Sequence, residues 1–206
     1  MTKKKPNKQW VESQNKDQYV KRARDSHYRS RAVYKLQQID EKDKLIQAGN
    51  RIVDLGSAPG GWSQYARERV GVNGKVIAVD ILPMEPIADV HFIQGDFTET
   101  EIEKACLEQT NKDGVDLVIS DMAPNLSGIR ATDQARSMAL AELAYDFCHN
   151  ALKPGGHFLI KLFEGAGAQA YRQALKEHFA QVLTRKPDAS RNNSREFYVL
   201  ARSYKL

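Results

Sequence analysis

The sequence is poor in cysteine and has no long apolar run. Its two cysteines, Cys106 and Cys148, do not have the spacing of a metal-binding pair. No segment approaches the roughly 18–20 consecutive apolar residues that a membrane-spanning helix needs. The lysine-rich start also lacks the apolar core of a secretory signal. From these absences we expect a cytoplasmic protein with reduced thiols, no metal site and no membrane association.

The overall composition is that of an ordinary globular chain, with 206 residues, 41% of them apolar and 28% charged. This length is sufficient for one core without disulfide or metal support. We expect a basic N-terminal tail with a short helix over residues 1–28, followed by one domain over residues 29–206. The sequence shows no surplus apolar helix face, so we expect a monomer.

Positive charge is concentrated at both ends of the chain, although the net charge is only +5. Residues 1–35 carry a net charge of +8 and residues 185–206 a net charge of +4, which leaves −7 for the segment between them. A fold that joins the two basic ends would present one positive face to a polyphosphate partner. Residues 3–8 are expected to be a solvated tail, whereas the arginines interleaved with tyrosines in residues 21–35 are typical of RNA contacts.

Strand and helix patterns alternate from residue 51 onward. Strands are predicted at 51–55, 75–80, 91–94, 115–120, 157–162, 180–185 and 196–202, and helices at 17–24, 29–40, 59–70, 99–110, 133–152 and 167–178. Continuous apolar strands joined through helices indicate a largely parallel sheet that is covered on both faces. The predicted fold is therefore α/β and Rossmann-like, with a mostly parallel seven-stranded sheet, one antiparallel edge strand and helices on both faces.

The loop after the first predicted strand, residues 54–62, reads Asp-Leu-Gly-Ser-Ala-Pro-Gly-Gly-Trp. A phosphate-binding P-loop ends in Gly-Lys-Ser/Thr, and the dinucleotide fingerprint needs glycine where this chain has Ala58. Neither nucleotide motif is present. An acidic strand end followed by such a glycine turn is typical of sites for S-adenosylmethionine (SAM). The predicted cofactor contacts in this loop are Gly56, Pro59, Gly60 and Trp62.

Carboxylates end or follow three further predicted strands. Asp80 lies 20 residues after Gly60, where a carboxylate can accept both ribose hydroxyls of an adenosine. Asp96 is placed to accept from the adenine amino group, and Asp121 follows the fourth strand. Each aspartate alone is also compatible with a helix cap or a turn, and Trp62 with a core aromatic. The order of the strand ends is what indicates a SAM site.

Two lysines and two acidic residues occupy unusual places in this pattern. Lys161 stands inside the apolar run 158–163, where an unpaired ammonium group is costly. Such a lysine is either paired with carboxylates or used for chemistry. The sequence offers two acidic residues, Asp121 and Glu196, that could pair with it, and a second lysine, Lys35, that could share the same site. A buried ion-pair network without chemistry is the alternative interpretation.

Eight sequence blocks resemble the FtsJ/RrmJ family of 2′-O-ribose RNA methyltransferases. The blocks are residues 30–36, 53–64, 81–84, 94–97, 120–128, 152–156, 186–191 and 194–196. The run Asp-Met-Ala-Pro-Asn-Leu-Ser-Gly over 121–128 and the Lys-Asp-Lys-Glu order are the specific features, whereas many methyltransferases share the glycine loop. The resemblance implies a SAM-dependent methyltransferase fold, and it implies a catalytic tetrad made of Lys35, Asp121, Lys161 and Glu196.

In a reaction of this kind a ribose hydroxyl attacks the methyl group of SAM and must lose its proton. Two lysines in one desolvated site disfavour each other's charge, so we expect Lys161 to act as the general base or hydrogen-bond acceptor. Lys35 and Glu196 are expected to orient Lys161 and the ribose, and Asp121 to bridge the cofactor and lysine sides. The loop 122–125 lacks the aromatic that often holds a flat base, which favours a ribose hydroxyl as the acceptor.

The resemblance also implies the substrate, a uridine in the A-loop of 23S rRNA within the assembled 50S subunit. The predicted RNA contacts are Arg22, Arg24, Arg29, Arg31, Lys186, Arg191 and Arg195. Neutralising Arg29 and Arg31 is expected to weaken RNA binding and flatten its salt dependence, while SAM affinity is unchanged.

Two other kinds of function stay open at this point. The same chemistry on tRNA or an mRNA cap is one, and a non-catalytic ribosome-assembly factor that binds RNA with this fold is the other. A nicotinamide-dependent oxidoreductase is disfavoured by Ala58 and by the lack of a hydride-handling tyrosine–lysine pair.

Overall fold

The computed structural model describes residues 17–110, 114–125, 127–191 and 194–205. The predicted tail at residues 3–8 lies outside these residues, and the domain boundary at residue 28 stays a prediction. The helices are α1 (Gln18–Asp25), α2 (Val33–Asp43), α3 (Gly61–Val70), α4 (Thr100–Gln109), α5 (Arg130–Ala151) and α6 (Ala168–His178). The strands are β1 (Arg51–Leu55), β2 (Lys75–Asp80), β3 (Val90–Gln94), β4 (Val115–Ser120), β5 (Leu152–Phe163), β6 (Phe179–Arg185) and β7 (Glu196–Tyr204).

The strands form one seven-stranded sheet in the order β3-β2-β1-β4-β5-β7-β6. The first five are parallel neighbours, whereas β7 runs antiparallel to both β5 and β6. The predicted α/β fold with a mostly parallel sheet and antiparallel pairing at one edge is confirmed. The antiparallel strand itself lies one place in from that edge, because β6 pairs on its outer side. The carboxyl ends of β1 to β5 therefore share one edge of the sheet.

The sheet buries a hydrophobic cluster on each of its faces, as continuous apolar strands predict. Side chains alternate along β1, so that Val53 faces one cluster and Ile52 the other. Phe147 of α5 packs in the first cluster and Leu36 of α2 in the second. Each such side chain, fully buried, stabilises the fold by about 1.5–3 kcal/mol. Among the described helices, none has the length and apolarity needed to cross a membrane.

The largest departures from the predicted bounds occur at α2 and β5. Helix α2 begins at Val33 rather than at residue 29. Residues 29 and 32 bond to α3, and a turn over residues 30–35 leads into the helix. Strand β5 begins at Leu152 rather than at residue 157, and Leu152 pairs with Val115 across a register shift in β4. Residues 29–31, predicted as helix, are therefore a connecting segment whose polar groups bond to neighbouring loops.

Candidate active site

A cavity of about 380 Å³ opens at the carboxyl ends of β1, β2 and β4. Three of its wall residues are the predicted carboxylates Asp80, Asp96 and Asp121. Its apolar walls include Val79, Ile81, Leu82, Phe97, Met122 and Leu140. This position agrees with the rule that open α/β sheets bind ligands where neighbouring parallel strands end.

Gly56, a predicted cofactor contact, lines this cavity. Its φ angle of +77° is one that side-chain-bearing residues rarely adopt, and a Cβ atom there would lie 2.7 Å from Cγ of Met122. The glycine therefore allows the loops after β1 and β4 to approach closely. The N–H groups of Gly56 and Ser57 donate to the carbonyl of Val79, which ties the loop to β2.

The two carboxylates at the ends of β2 and β3 are held by backbone groups of nearby loops. Asp80 accepts from the N–H of Ala58 and from the N–H of Leu82, each at 2.8 Å. Asp96 accepts from the N–H and hydroxyl of Thr98 at 2.9 and 2.8 Å. The two bonds from Thr98 favour the ionised form of Asp96 and hold its pKa below its ordinary value.

This combination of walls fits the SAM that the sequence predicts. Apolar side chains suit the adenine ring, and ionised carboxylates suit the ribose hydroxyls and the positively charged methionine end. Across the residues that the structure describes, no group of three or more His, Cys, Asp or Glu side chains is arranged to hold a metal ion.

A buried carboxylate, Asp54, lies near the end of β1, just before Gly56. It is fully buried, and one carboxylate oxygen accepts from the hydroxyl of Ser63 at 2.6 Å. The other oxygen has no hydrogen-bond partner in the described part of the chain. Burial raises the pKa of Asp54 to about 7, and the nearby charges of Asp121 and Asp80 add to that rise.

The other predicted contacts in the glycine loop lie outside the cavity lining. Trp62 is 3% exposed, packs against Tyr198 and donates its indole N–H to the carbonyl of Ala32 at 2.8 Å. Because α3 begins at Gly61, its first turn directs Trp62 towards α2 rather than towards the cavity. Trp62 therefore packs as a core aromatic in the structure, and its predicted packing against the cofactor stays a prediction.

Pro59 and Gly60 lie on the outer side of the same loop. A Cβ atom on Gly60 would lie 2.9 Å from side-chain atoms of both Met84 and Ile87. The carbonyl of Pro59 accepts from Arg29. These two residues thus pack behind the cavity wall, and their predicted contact with the cofactor stays a prediction.

Lys161 and Asp121 form a nearly buried ion pair at the edge of the cavity. The Nζ atom of Lys161 lies 3.0 Å from a carboxylate oxygen of Asp121 and donates to the Asp121 carbonyl at 2.5 Å. The side chain of Lys161 is 8% exposed, since β5 lies between β4 and β7. Asp121 belongs both to this pair and to the cavity lining.

Lys35 and Glu196 form a second ion pair, with 2.6 Å between Nζ and the carboxylate oxygen. Lys35 lies in the first turn of α2, and Glu196 is the first residue of β7. Both side chains are almost as buried as that of Lys161. Each of the two lysines therefore pairs with one of the two acidic residues, Lys161 with Asp121 and Lys35 with Glu196.

Tyr198, which the sequence reasoning missed, connects the two ion pairs. Its hydroxyl donates to the Asp121 carboxylate at 3.0 Å, and its ring centre lies 5.9 Å from Nζ of Lys35. Burial raises the pKa of Tyr198 well above its ordinary value, so the phenol stays a neutral donor. Its position two residues after Glu196, on the same strand face, is the signal that could have identified it. The structure thereby joins all four predicted tetrad residues in one network.

The described parts of the two basic ends of the chain meet, which fulfils the condition for one positive face. Arg31 pairs with Asp17 at 2.9 Å and donates to the carbonyl of Ala189 at 2.5 Å. Gln38 accepts from the N–H of Ala189. These bonds place the C-terminal loop after β6 against the N-terminal helices. Arg31 is mostly buried in this junction, so its guanidinium joins two parts of the chain.

The remaining predicted RNA contacts differ in their exposure and in the bonds that their side chains already make within the protein. The exposed residues among them are Arg22, Arg24, Lys186, Arg191 and Arg195. Arg22 lies 4.5 Å from the ring centre of Tyr34. Lys186 donates to the carbonyl of Ser194 at 3.0 Å. Arg29 is different, because its guanidinium bonds to three carbonyl groups of the chain.

Comparison with known proteins identifies relatives of this chain. The sequence model described as FtsJ-like methyltransferase matches residues 28–204. Proteins named ribosomal RNA large subunit methyltransferase E are 54% identical over 199 residues in Alkalilimnicola ehrlichii and 52% identical over 200 residues in Azoarcus sp. strain BH72. Each alignment covers 97% of this chain, and it covers 95% and 98% of the respective relative.

Two solved structures share the fold. A ribosomal RNA methyltransferase from Plasmodium falciparum superposes with a TM-score of 0.78 at 29% identity, covering 86% of this chain and 98% of that one. Aeropyrum pernix fibrillarin, solved with bound SAM, superposes with a TM-score of 0.59 at 15% identity, covering 84% of this chain and 75% of that one. The family match spans most of the chain and the relatives match it almost end to end, so the chain belongs to the FtsJ-like methyltransferase family.

Proposed function

We propose that this protein transfers the methyl group of SAM to the 2′-hydroxyl of a uridine in the A-loop of 23S rRNA, within the assembled 50S subunit in the cytoplasm. Family membership supports methyl transfer, and the names of the relatives support large-subunit rRNA as the substrate. The observation that carries the proposal is the placement of Lys161, a nearly buried lysine held by Asp121 at the cavity wall.

The cofactor is held by the loops that follow the first four strands. Asp80 is fixed by two backbone donors and would accept from the ribose hydroxyls, and Asp96 would accept from the adenine amino group. Phe97 and Leu82 supply apolar walls. Bound SAM supplies a methyl group on a sulfonium, which an oxygen nucleophile can take directly.

The two bonds of Lys161 define what its amine can do. Both acceptors belong to Asp121, one being the carboxylate and the other the backbone carbonyl. A neutral amine has two N–H donors, so these two bonds use both of them and leave the lone pair free. The lone pair can then accept the hydroxyl proton as the O–CH₃ bond forms, which makes Lys161 the general base.

The second ion pair and Tyr198 would keep this arrangement in place. Glu196 neutralises Lys35, and Tyr198 donates to the same carboxylate that Lys161 contacts. Fixed polar groups in a site of low dielectric do not have to reorganise during the reaction. We assign Lys35 and Glu196 to orienting the ribose and Tyr198 to fixing Asp121.

RNA would approach along the surface where the two basic ends meet. The exposed side chains available for phosphate contacts are Arg22, Arg24, Lys186, Arg191 and Arg195. Such contacts supply affinity and position the strand without reading its sequence. Assembled 50S particles, rather than free rRNA, would then present the nucleotide to the site.

Methyl-labelled SAM tests this proposal with three substrates in parallel, which are 50S subunits lacking A-loop 2′-O-methylation, free 23S rRNA and bulk tRNA. We expect label in 2′-O-methyluridine from the 50S subunits. Label in tRNA alone would keep the chemistry and overturn the substrate. SAM binding without label in any RNA would overturn the catalytic proposal in favour of a non-catalytic assembly factor.

A further inference from the structure

The basic segment that precedes α2 is fastened to the start of α3 at several points. The side-chain amide of Gln64 accepts from the N–H of Arg29 at 2.9 Å and donates to the carbonyl of His27 at 3.3 Å. The indole N–H of Trp62 donates to Ala32 at 2.8 Å. A Cβ atom on Gly61 would lie only 2.6 Å from the hydroxyl oxygen of Ser30. This segment therefore lies directly against the helix that the glycine loop begins.

The guanidinium of Arg29 bonds to two separate loops. One Nη atom donates to the carbonyl of Glu85 at 2.5 Å and to the carbonyl of Pro59 at 3.3 Å. The other Nη atom donates to the carbonyl of Pro86 at 2.8 Å. Pro59 belongs to the glycine loop, whereas Glu85 and Pro86 belong to the loop after β2. The planar fork of arginine suits this arrangement, because it holds several donors at fixed angles.

Both loops continue directly into walls of the cofactor cavity. Ala58, which precedes Pro59, lines the cavity and donates its N–H to Asp80. Ile81 and Leu82, at the start of the second loop, also line the cavity. Behind these walls, Gly60 packs against the side chains of the second loop. A single side chain outside the cavity thus fixes the spacing of the two loops that meet at Asp80.

We propose that Arg29 is a positioning residue for the cofactor, which holds the glycine loop and the loop after β2 in the spacing that SAM binding needs. Its three carbonyl partners take up donors that a phosphate contact would otherwise use. This assignment reverses the expectation from the sequence that neutralising Arg29 leaves SAM affinity unchanged. It concerns the cofactor site alone and does not depend on which RNA is methylated.

Isothermal titration with SAM, in the absence of RNA, tests this assignment on four proteins: the wild type and the variants Arg29→Gln, Arg29→Lys and Arg67→Gln. Arg67 is a matched control, because it donates to the carbonyl of Gly71 and pairs with Asp89 at the far end of the same loop. We expect Arg29→Gln to raise the Kd for SAM by roughly 10- to 30-fold, as loss of a charged hydrogen-bonded group does. Arg67→Gln is expected to stay within about twofold of wild type on the same grounds.

Arg29→Lys separates positioning from net charge. Lysine keeps the positive charge but lacks the planar fork, so we expect a Kd for SAM between those of wild type and Arg29→Gln. A steady-state assay should show the same change as a raised KM for SAM, with kcat at saturating SAM within about threefold of wild type. Wild-type SAM affinity in both Arg29 variants would overturn the assignment.

RNA binding supplies the opposite test. Arg24 is exposed, and we expect Arg24→Gln to reduce the salt slope of RNA binding by about one phosphate contact. Arg29→Gln is expected to leave that slope unchanged. A reduced salt slope in Arg29→Gln, together with unchanged SAM affinity, would show that Arg29 contacts RNA and does not position the cofactor loops.

If Arg29→Gln does not fold, the titration of Arg29→Lys decides alone, since a Kd for SAM equal to that of wild type would overturn the assignment. A wild-type protein that binds SAM but methylates no RNA would contradict the proposed function and leave this titration interpretable.

Discussion

The cofactor half of the site and its charged half are built in different ways. Around the cavity, Asp96 is held by Thr98 and Asp80 by Leu82, which are close neighbours in sequence. In the charged half, Lys35 and Glu196 come from opposite ends of the chain and meet at 2.6 Å. The carboxylates of the cofactor half thus have partners close in sequence, although Asp80 also accepts from Ala58, whereas the charged half exists only when the whole sheet has formed.

The two halves also differ in their exposure to water. Asp96 is partly exposed, while the side chain of Lys161 is 8% exposed and makes two bonds to Asp121. Because polar bonds strengthen in a medium of low dielectric, a change in the charged half should cost more than a similar change in the cofactor half. Asp121 belongs to both halves, so a substitution there should change both SAM binding and the rate of methyl transfer.

The largest expected effect comes from Asp121→Asn, which changes both halves at once. We expect the single-turnover rate to fall by about 10³-fold, within the range for general-base catalysis, and the Kd for SAM to rise by roughly tenfold. Asp116→Asn is the matched control, because Asp116 pairs with Lys153 between the same two strands. A change in only one of the two measured quantities would contradict the dual role of Asp121.

Asp80→Asn affects the cofactor half alone. Loss of its charge should weaken SAM binding by about 2 kcal/mol, or roughly 30-fold, while the single-turnover rate at saturating SAM stays near wild type. Titration calorimetry and a rapid-quench assay measure the two quantities. Asp89→Asn, in the loop after β2, is the control, because Asp89 is exposed and pairs with Arg67. An equal loss of rate at saturating SAM would show that the halves are not separable.

Glu196→Gln affects the charged half alone. It leaves Lys35 without a carboxylate, and we expect kcat to fall by roughly 20-fold, which is less than the 10²-fold that a 1 Å misplacement can cost. SAM affinity should not change, because Glu196 does not line the cavity. Exposed Glu164, in the loop after β5, supplies the control Glu164→Gln. An altered Kd for SAM in Glu196→Gln would contradict the division.

The smallest expected effect concerns Asp54, whose pKa is raised to about 7 by burial. An unfolded aspartate has a pKa of about 3.9 and is ionised at both pH 6 and pH 8. At pH 6 the folded state therefore holds a proton on Asp54 that the unfolded state lacks. The stabilisation that this proton gives to the folded state is lost as pH rises through about 7. Between pH 6 and pH 8 this loss is about 1.4 kcal/mol.

Urea unfolding at the two pH values measures this effect as a difference between proteins. Asp54→Asn cannot ionise, so its free energy of unfolding should gain about 1.4 kcal/mol relative to wild type between pH 6 and pH 8. Other titrating groups are common to both proteins and cancel in this difference. Parallel pH profiles for the two proteins would show that Asp54 does not hold the extra proton.

Sequence reasoning was most successful where structure is local. The strands at 51–55, 75–80 and 115–120 have the predicted bounds, because each is an apolar run between clear turns. Asp80 and Asp96 both line the cavity, because parallel strand order places the ends of β2 and β3 at the same edge of the sheet. Their predicted contacts with the cofactor stay predictions.

Residues whose role depends on distant backbone groups were not predictable in the same way. Trp62 faces the core because of where α3 begins, which the glycine loop does not specify. Arg29 bonds to the backbone carbonyls of residues 59, 85 and 86. Because every residue has a backbone carbonyl, the sequence does not indicate which of them an arginine will contact. Tyr198 was within reach, because it follows Glu196 with strand periodicity. The catalytic assignment of the tetrad stays a proposal that only kinetics can test.

A single-turnover assay of Lys161→Ala tests the division between the halves most directly. Its control is Lys153→Ala, because Lys153 lies on the same strand and is also paired with an aspartate. We predict that Lys161→Ala loses methyl transfer to 50S subunits by about 10³-fold, while its Kd for SAM stays within about threefold of wild type. Lys153→Ala should match wild type in both. A Lys161→Ala enzyme with a near-normal rate would contradict the role of Lys161 as the base.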